Sequence, residues 1–239
     1  DFTRFNPQAR VGKTFSRAFF HYTEYTFSRS YLRRMAYRRG HSPRRDCLLG
    51  RRAIEAHAHR IAQLYLSPLV LLSAESAASH LLDEGTLVIH LRSGDVASLN
   101  YDYYMTNPLC YYVELARQYR RAVVVTEPGA PHPLLASILA LFSQATVVST
   151  TARDDFLTLC MAPHLASSGV GTFAIAAALL SQRLSVFHCT DIFQDEHLNP
   201  RMIRSEKVQV RLQLMPGFVK QWLRSRDRLT LLRTYQPLG

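Results

Sequence analysis

Cysteine is scarce in this chain: Cys47, Cys110, Cys160 and Cys189 are the four among 239 residues. None falls in a C-x-x-C pair, which argues against a zinc ribbon. Two disulfides are one reading. Buried thiols are the favoured one, because the flanks of Cys110 and Cys160 are apolar. Long hydrophobic runs are missing as well. The longest, Ile61 to Ala74, is interrupted by Pro68 and is too short to span a bilayer, so no transmembrane segment is expected. The start lacks the basic, apolar and small-residue pattern of a secretory signal, although a mature chain that had lost one would read the same. No internal repeat is visible. Acidic residues are nearly missing from the first quarter: residues 1–60 hold 4 Asp and Glu against 14 Lys and Arg, whereas residues 61–239 hold 14 against 15.

What is present is enough for a real core. Apolar residues make up 47% and charged residues 20%, which excludes wholesale disorder. The net charge of +11 sits almost wholly in residues 1–60. Thirteen of the 14 basic residues there are Arg, suited to two-pronged contact with phosphate or carboxylate. Phe15, Phe19, Phe20, Tyr22, Tyr25, Phe27, Tyr31 and Tyr37 are interleaved with them. Three readings stay open: an arm that wraps other protein subunits, a segment that grips RNA by phosphate pairing and stacking, and a solvated basic face or presequence.

From residue 86 short apolar runs alternate with longer amphipathic stretches. Strands are predicted at Thr86–Leu91, Ala122–Thr126, Thr146–Ser149, His164–Ser167 and Leu184–His188. Helices are predicted over 108–118, 133–142, 154–161 and 171–182. Continuous apolar strands alternating with helices predict a parallel sheet covered on both faces, a Rossmann-like α/β unit of about five strands. Ligands of such sheets sit at the carboxyl ends of the strands. The division expected is an Arg-rich arm over 1–60, a helical remnant over 61–85, a Rossmann-like domain over 86–200, and a basic tail over 201–239. In that tail Lys207–Leu214 reads as an edge strand and Pro216–Leu232 as one amphipathic helix around Trp222.

Three segments carry residues suited to chemistry. In Leu87-Val-Ile-His-Leu-Arg-Ser-Gly-Asp95 a buried strand ends near His90 and Arg92, then turns through Gly94 and Asp95. An Arg there can neutralise a phosphate through two hydrogen bonds; it can equally pair with Asp95 and merely pin the loop. Asp154 or Asp155 can cap the helix that follows Arg153. A loop through Ser167, Ser168, Gly169, Gly171, Thr172 and Phe173 meets a helix start, where exposed amides and hydroxyls can cradle a phosphate.

In this order the segments resemble the fucosyltransferase-like glycosyltransferases. The likeness is strongest in His90-Leu-Arg-Ser-Gly-Asp95. It continues in Pro108-Leu-Cys-Tyr-Tyr112, Val123-Val-Val-Thr-Glu127, Asp155-Phe-Leu-Thr-Leu159 and Ser167 to Phe173, and covers roughly residues 86–190. The resemblance implies the nucleotide-sugar-binding half of a GT-B fold, with a basic N-terminal extension. It implies transfer of a sugar from a GDP-sugar, usually GDP-fucose, to a glycan or protein hydroxyl, with no cofactor and no metal. Arg92 would contact the diphosphate and His90 would shape the pocket. Gly94, Asp95, Asp155, Ser167, Ser168, Thr172 and Phe173 would complete the nucleotide-sugar site. Asp102 and Glu127 are the candidate general bases. Only 89 residues precede His90, little for an acceptor-binding half, so the alternative is an inactive relative serving as a structural subunit of a large protein or ribonucleoprotein assembly. A Golgi or ER lumen suits the first reading and a mitochondrion the second.

Overall fold

The computed structural model describes residues 82–237, apart from 97, 101, 103, 130, 170, 193–202 and 204–205. Contacts divide the chain into Asp1–Ile54 and Glu55–Gly239, and the described residues all belong to the second unit. The arm expected over 1–60 and, up to residue 81, the helical remnant expected over 61–85 lie outside the described residues.

Six strands form one sheet: β1 (Thr86–Leu91), β2 (Arg121–Thr126), β3 (Gln144–Val148), β4 (His164–Ala166), β5 (Val186–Thr190) and β6 (Gln209–Gln213). They lie in the order β3-β2-β1-β4-β5-β6, every pair parallel. That is the doubly wound Rossmann order. β1 is buried at all six positions. Its β-branched and leucine side chains have cover on both faces, so the strand reads as an unbroken apolar run.

The helices are α1 (Leu109–Gln118), α2 (Leu135–Leu141), α3 (Ala152–Cys160), α4 (Phe173–Leu180), α5 (Phe218–Arg224) and α6 (Arg228–Thr234). Leu87, Ile89 and Leu91 share one core with Tyr111, Tyr112 and Leu115 of α1, Ile138 of α2, Phe218 and Trp222 of α5, and Leu232 of α6. Side chains alternate along a strand, so His90 points to the opposite face. There it meets Phe173 of α4 with ring centroids 5.1 Å apart, and Phe173 meets Phe156 of α3 at 5.2 Å. The parallel sheet between helical layers is thus borne out.

Two expectations need correction. The sheet has six strands rather than about five, because the edge strand expected over Lys207–Leu214 is β6, which pairs with β5 through five residues. The helix predicted over 216–232 is two, broken at Ser225–Asp227. The Asp227 carboxylate accepts the Thr230 amide at 2.9 Å and starts α6 as its N-cap. Among the described residues Cys110, Cys160 and Cys189 are free thiols, and no helix is long and apolar enough to cross a membrane.

Candidate functional site

The strand order turns back on itself between β1 and β4. β1 leads out to β2 and β3, and the chain then crosses to β4 on β1's other side. Two connections leave the sheet there in opposite directions and open a crevice at the carboxyl ends. β1 delivers Arg92 to that place and β4 delivers Ser167 and Ser168. The Arg92 amide donates to Ser168 Oγ at 3.2 Å, which joins the two strand ends directly. Arg92, Val96, Tyr104, Met105, Thr106 and Ser168 line a half-open hollow with about 200 Å³ of empty space, its mouth included. The Arg92 guanidinium lies over the Tyr104 ring, 5.4 Å from its centroid, and Tyr104 is 44% exposed.

The crevice floor is crossed by the chain itself. Thr106 makes an isolated antiparallel bridge with Gly169. The Asn107 amide donates to the Ser168 carbonyl at 2.7 Å, and Asn107 Nδ2 donates to the Ser167 carbonyl at 2.8 Å. Thr190 at the end of β5 donates to Asn107 Oδ1 at 2.7 Å. Asn107 is fully buried, with its side-chain donor and acceptor both engaged.

A second chain of bonds fixes a tautomer. His132 Nδ1 accepts the Leu134 amide at 3.2 Å, so Nε2 carries the ring proton. Nε2 donates to Thr106 Oγ1 at 3.2 Å, and Thr106 Oγ1 donates to the Ser168 carbonyl at 2.9 Å. Burial lowers the His132 pKa to about 4 and keeps the ring neutral. Changing Thr106 to Val leaves the buried His132 N–H with nothing to donate to. We expect a loss of about 1–3 kcal/mol in urea unfolding, whereas Thr106→Ser, which keeps the hydroxyl, stays within about 1 kcal/mol of the wild type.

The remaining predicted site residues divide. His90 is buried against Phe173, and its pKa falls to about 3 through burial and then the Arg92 charge. It supports the strand end as a neutral ring and does not line the hollow. Gly94 sits in a 3-10 turn, Gly94–Val96, with φ 62. A Cβ there would collide with the Glu127 carboxylate, which lies directly over it. The Asp95 side chain lies outside the described residues. Asp155 is buried, and its Oδ1 accepts from the Thr150 amide at 3.0 Å and the Thr150 hydroxyl at 2.7 Å. Burial raises its pKa against those bonds. Asp155 braces the loop before α3 and does not reach the hollow. The cap of α3 is Thr151, which accepts the Asp154 amide at 3.2 Å, rather than either aspartate. Ser167 is buried with no hydrogen-bond partner for its hydroxyl among the described residues. Thr172 precedes α4 without capping it through its side chain. Asp102 is held in an ion pair by Arg228 of α6.

Comparison with protein-family models and with curated proteins returned no match.

Sequence reasoning missed Ser93, Asn107 and His132. Ser93 is buried, donates to the Glu127 carbonyl at 3.3 Å and accepts from Thr126 Oγ1 at 2.9 Å, tying the β1 loop to the end of β2. The local signal for Asn107 was the Asn-Pro pair ahead of α1, which reads as a plain turn.

Proposed function

We propose that this chain carries the nucleotide-sugar half of a fucosyltransferase-like enzyme, which moves a sugar from a GDP-sugar to a glycan or protein hydroxyl. The observation behind this reading is the position of Arg92. It sits at the carboxyl end of β1, where the strand order reverses, and lines the hollow with Ser168. A guanidinium in a half-buried crevice can hold a diphosphate through two charge-assisted hydrogen bonds and stabilise it as it leaves the sugar. Ser168, whose hydroxyl accepts the Arg92 amide, lines the same hollow. His90, neutral and stacked on Phe173, keeps the strand end in place.

One observation favours the second reading, an inactive relative that serves as a structural subunit. The crossing segment Met105–Asn107 and the Tyr104 ring leave the hollow a cavity of only about 10 Å³, room for one water, against the roughly 300–1,000 Å³ usual for small-molecule sites. The Arg-rich first 60 residues would then be the surface for protein subunits or RNA.

Calorimetry with GDP and GDP-fucose separates the two. The transferase reading predicts binding that Arg92→Ala weakens about 10- to 100-fold, the worth of a charged hydrogen-bonded pair. Absence of heat at millimolar GDP, with the wild type folded by circular dichroism, sinks that reading and leaves the subunit one.

A further inference from the structure

Leu99 lies in the loop between Arg92 and Tyr104, and its φ is 58. This left-handed conformation is costly for a residue with a side chain, about 1–2 kcal/mol, and persists only where the surroundings impose it. The surroundings are Arg228, at the start of α6. Its Nη1 donates to the Leu99 carbonyl at 2.6 Å, and its Nη2 meets the Asp102 carboxylate in an ion pair. Its Nε reaches the Trp222 carbonyl at 3.4 Å. The guanidinium also lies over the indole of Trp222, 4.9 Å from the ring centroid. The Arg228 side chain is 13% exposed and Trp222 is fully buried in the core, so the clamp is anchored. Two residues beyond Asp102 stands Tyr104, over the Arg92 guanidinium.

We propose that Arg228 is a positioning residue: by gripping Leu99 and Asp102 it sets the Tyr104 ring over Arg92, which makes the C-terminal helix pair part of the candidate site. The planar fork is what the arrangement uses. One guanidinium faces a carbonyl, a carboxylate and an aromatic ring at once; a lysine ammonium keeps the charge and cannot serve all three. The inference deepens the nucleotide reading, yet its main test needs no nucleotide.

The Arg92 Nε–H signal in the NMR spectrum of the ligand-free full chain reports the ring above it. Tyr104→Ala gives the position of that signal without the ring. In Arg228→Lys we expect the signal to move toward that position. Amide exchange at residues 98–100, 102 and 104 should quicken about tenfold, matching one lost hydrogen bond to a charged group. Asp102→Asn is a second, milder variant at a side chain 58% exposed, which spares the fold if Arg228→Lys does not. It should move the signal the same way by a smaller amount. An Arg92 signal unmoved in both variants overturns the proposal, as does unchanged exchange in both. GDP binding to the wild type is read separately: its failure removes the nucleotide and leaves the clamp standing. If GDP does bind, Arg228→Lys should weaken it about 3- to 10-fold.

Discussion

Replacing Gly169 by alanine should cost about 3–5 kcal/mol of folding stability, a large part of what a domain this size possesses. Two effects add. Gly169 has φ 130, a conformation that residues with a side chain rarely adopt. The new Cβ would also stand 2.8 Å from Thr106 Cα and closer still to the Met105 carbonyl oxygen. Both obstacles are backbone, so no rotamer change relieves them. The segment that would have to retreat is fixed by the Asn107 amide, by Asn107 Nδ2 and by the Thr106 hydroxyl. Gly171 is the control two residues away. A Cβ there meets nothing within 4 Å, and Gly171→Ala should stay within about 1 kcal/mol of the wild type. Urea unfolding followed by circular dichroism measures both. A Gly169→Ala protein within 1 kcal/mol of the wild type would show that the crossing strand is not seated on β4's exit.

Acid should begin to destabilise the domain below pH 6.5, before carboxylates start to titrate. Among the described residues three histidines are buried neutral: His90 and His188 have pKa values lowered to about 3, and His132 to about 4. Burial is the leading cause in each case. His90 also feels Arg92, and His188 feels Arg211 and His164. In the unfolded chain they take protons near pH 6.5. Below that pH the unfolded state binds protons that the folded state refuses, so stability present above pH 6.5 is lost as the pH falls toward 3–4. At pH 5 each ring accounts for about 2 kcal/mol, together about 6 kcal/mol. That compares with a typical total of about 5–15 kcal/mol, which puts the acid midpoint near pH 4–5. Urea midpoints measured from pH 7.5 down to 4.5 should fall steeply below 6.5. A flat profile to pH 5 would mean that these rings are hydrated.

The fold was legible where burial leaves a local imprint. Thr86–Leu91 was readable to the residue, because a strand covered on both faces must be apolar throughout. β3 starts two residues earlier than expected, since Gln144 and Ala145 are exposed and extend no apolar run. β5 starts two residues later than expected, because Leu184 is buried without belonging to the strand. The break between α5 and α6 has no Pro or Gly. Its only mark was Asp227 three places before Thr230, a capping signal easily taken for a surface charge.

At the candidate site, Arg92 and Ser168 were legible because strand ends are where a doubly wound sheet exposes polar groups. Asn107, His132 and Arg228 were not. Their partners lie 60, 26 and 129 positions away in sequence, and no local pattern encodes such a meeting. His90 is expected to shape the pocket and Asp155 to bind the nucleotide sugar; in the structure His90 packs on Phe173 and Asp155 holds Thr150. A buried polar side chain at a loop edge looks the same in sequence whichever task it has.

β3 hides almost nothing. Gln144 through Val147 are exposed, and the strand holds to β2 chiefly by main-chain ladder bonds. The sheet therefore has a loose hem on one side and a stitched centre at β1 and β4. Deuterium should enter at 144–148 long before it enters at 87–91, and the domain should come apart from that border inward.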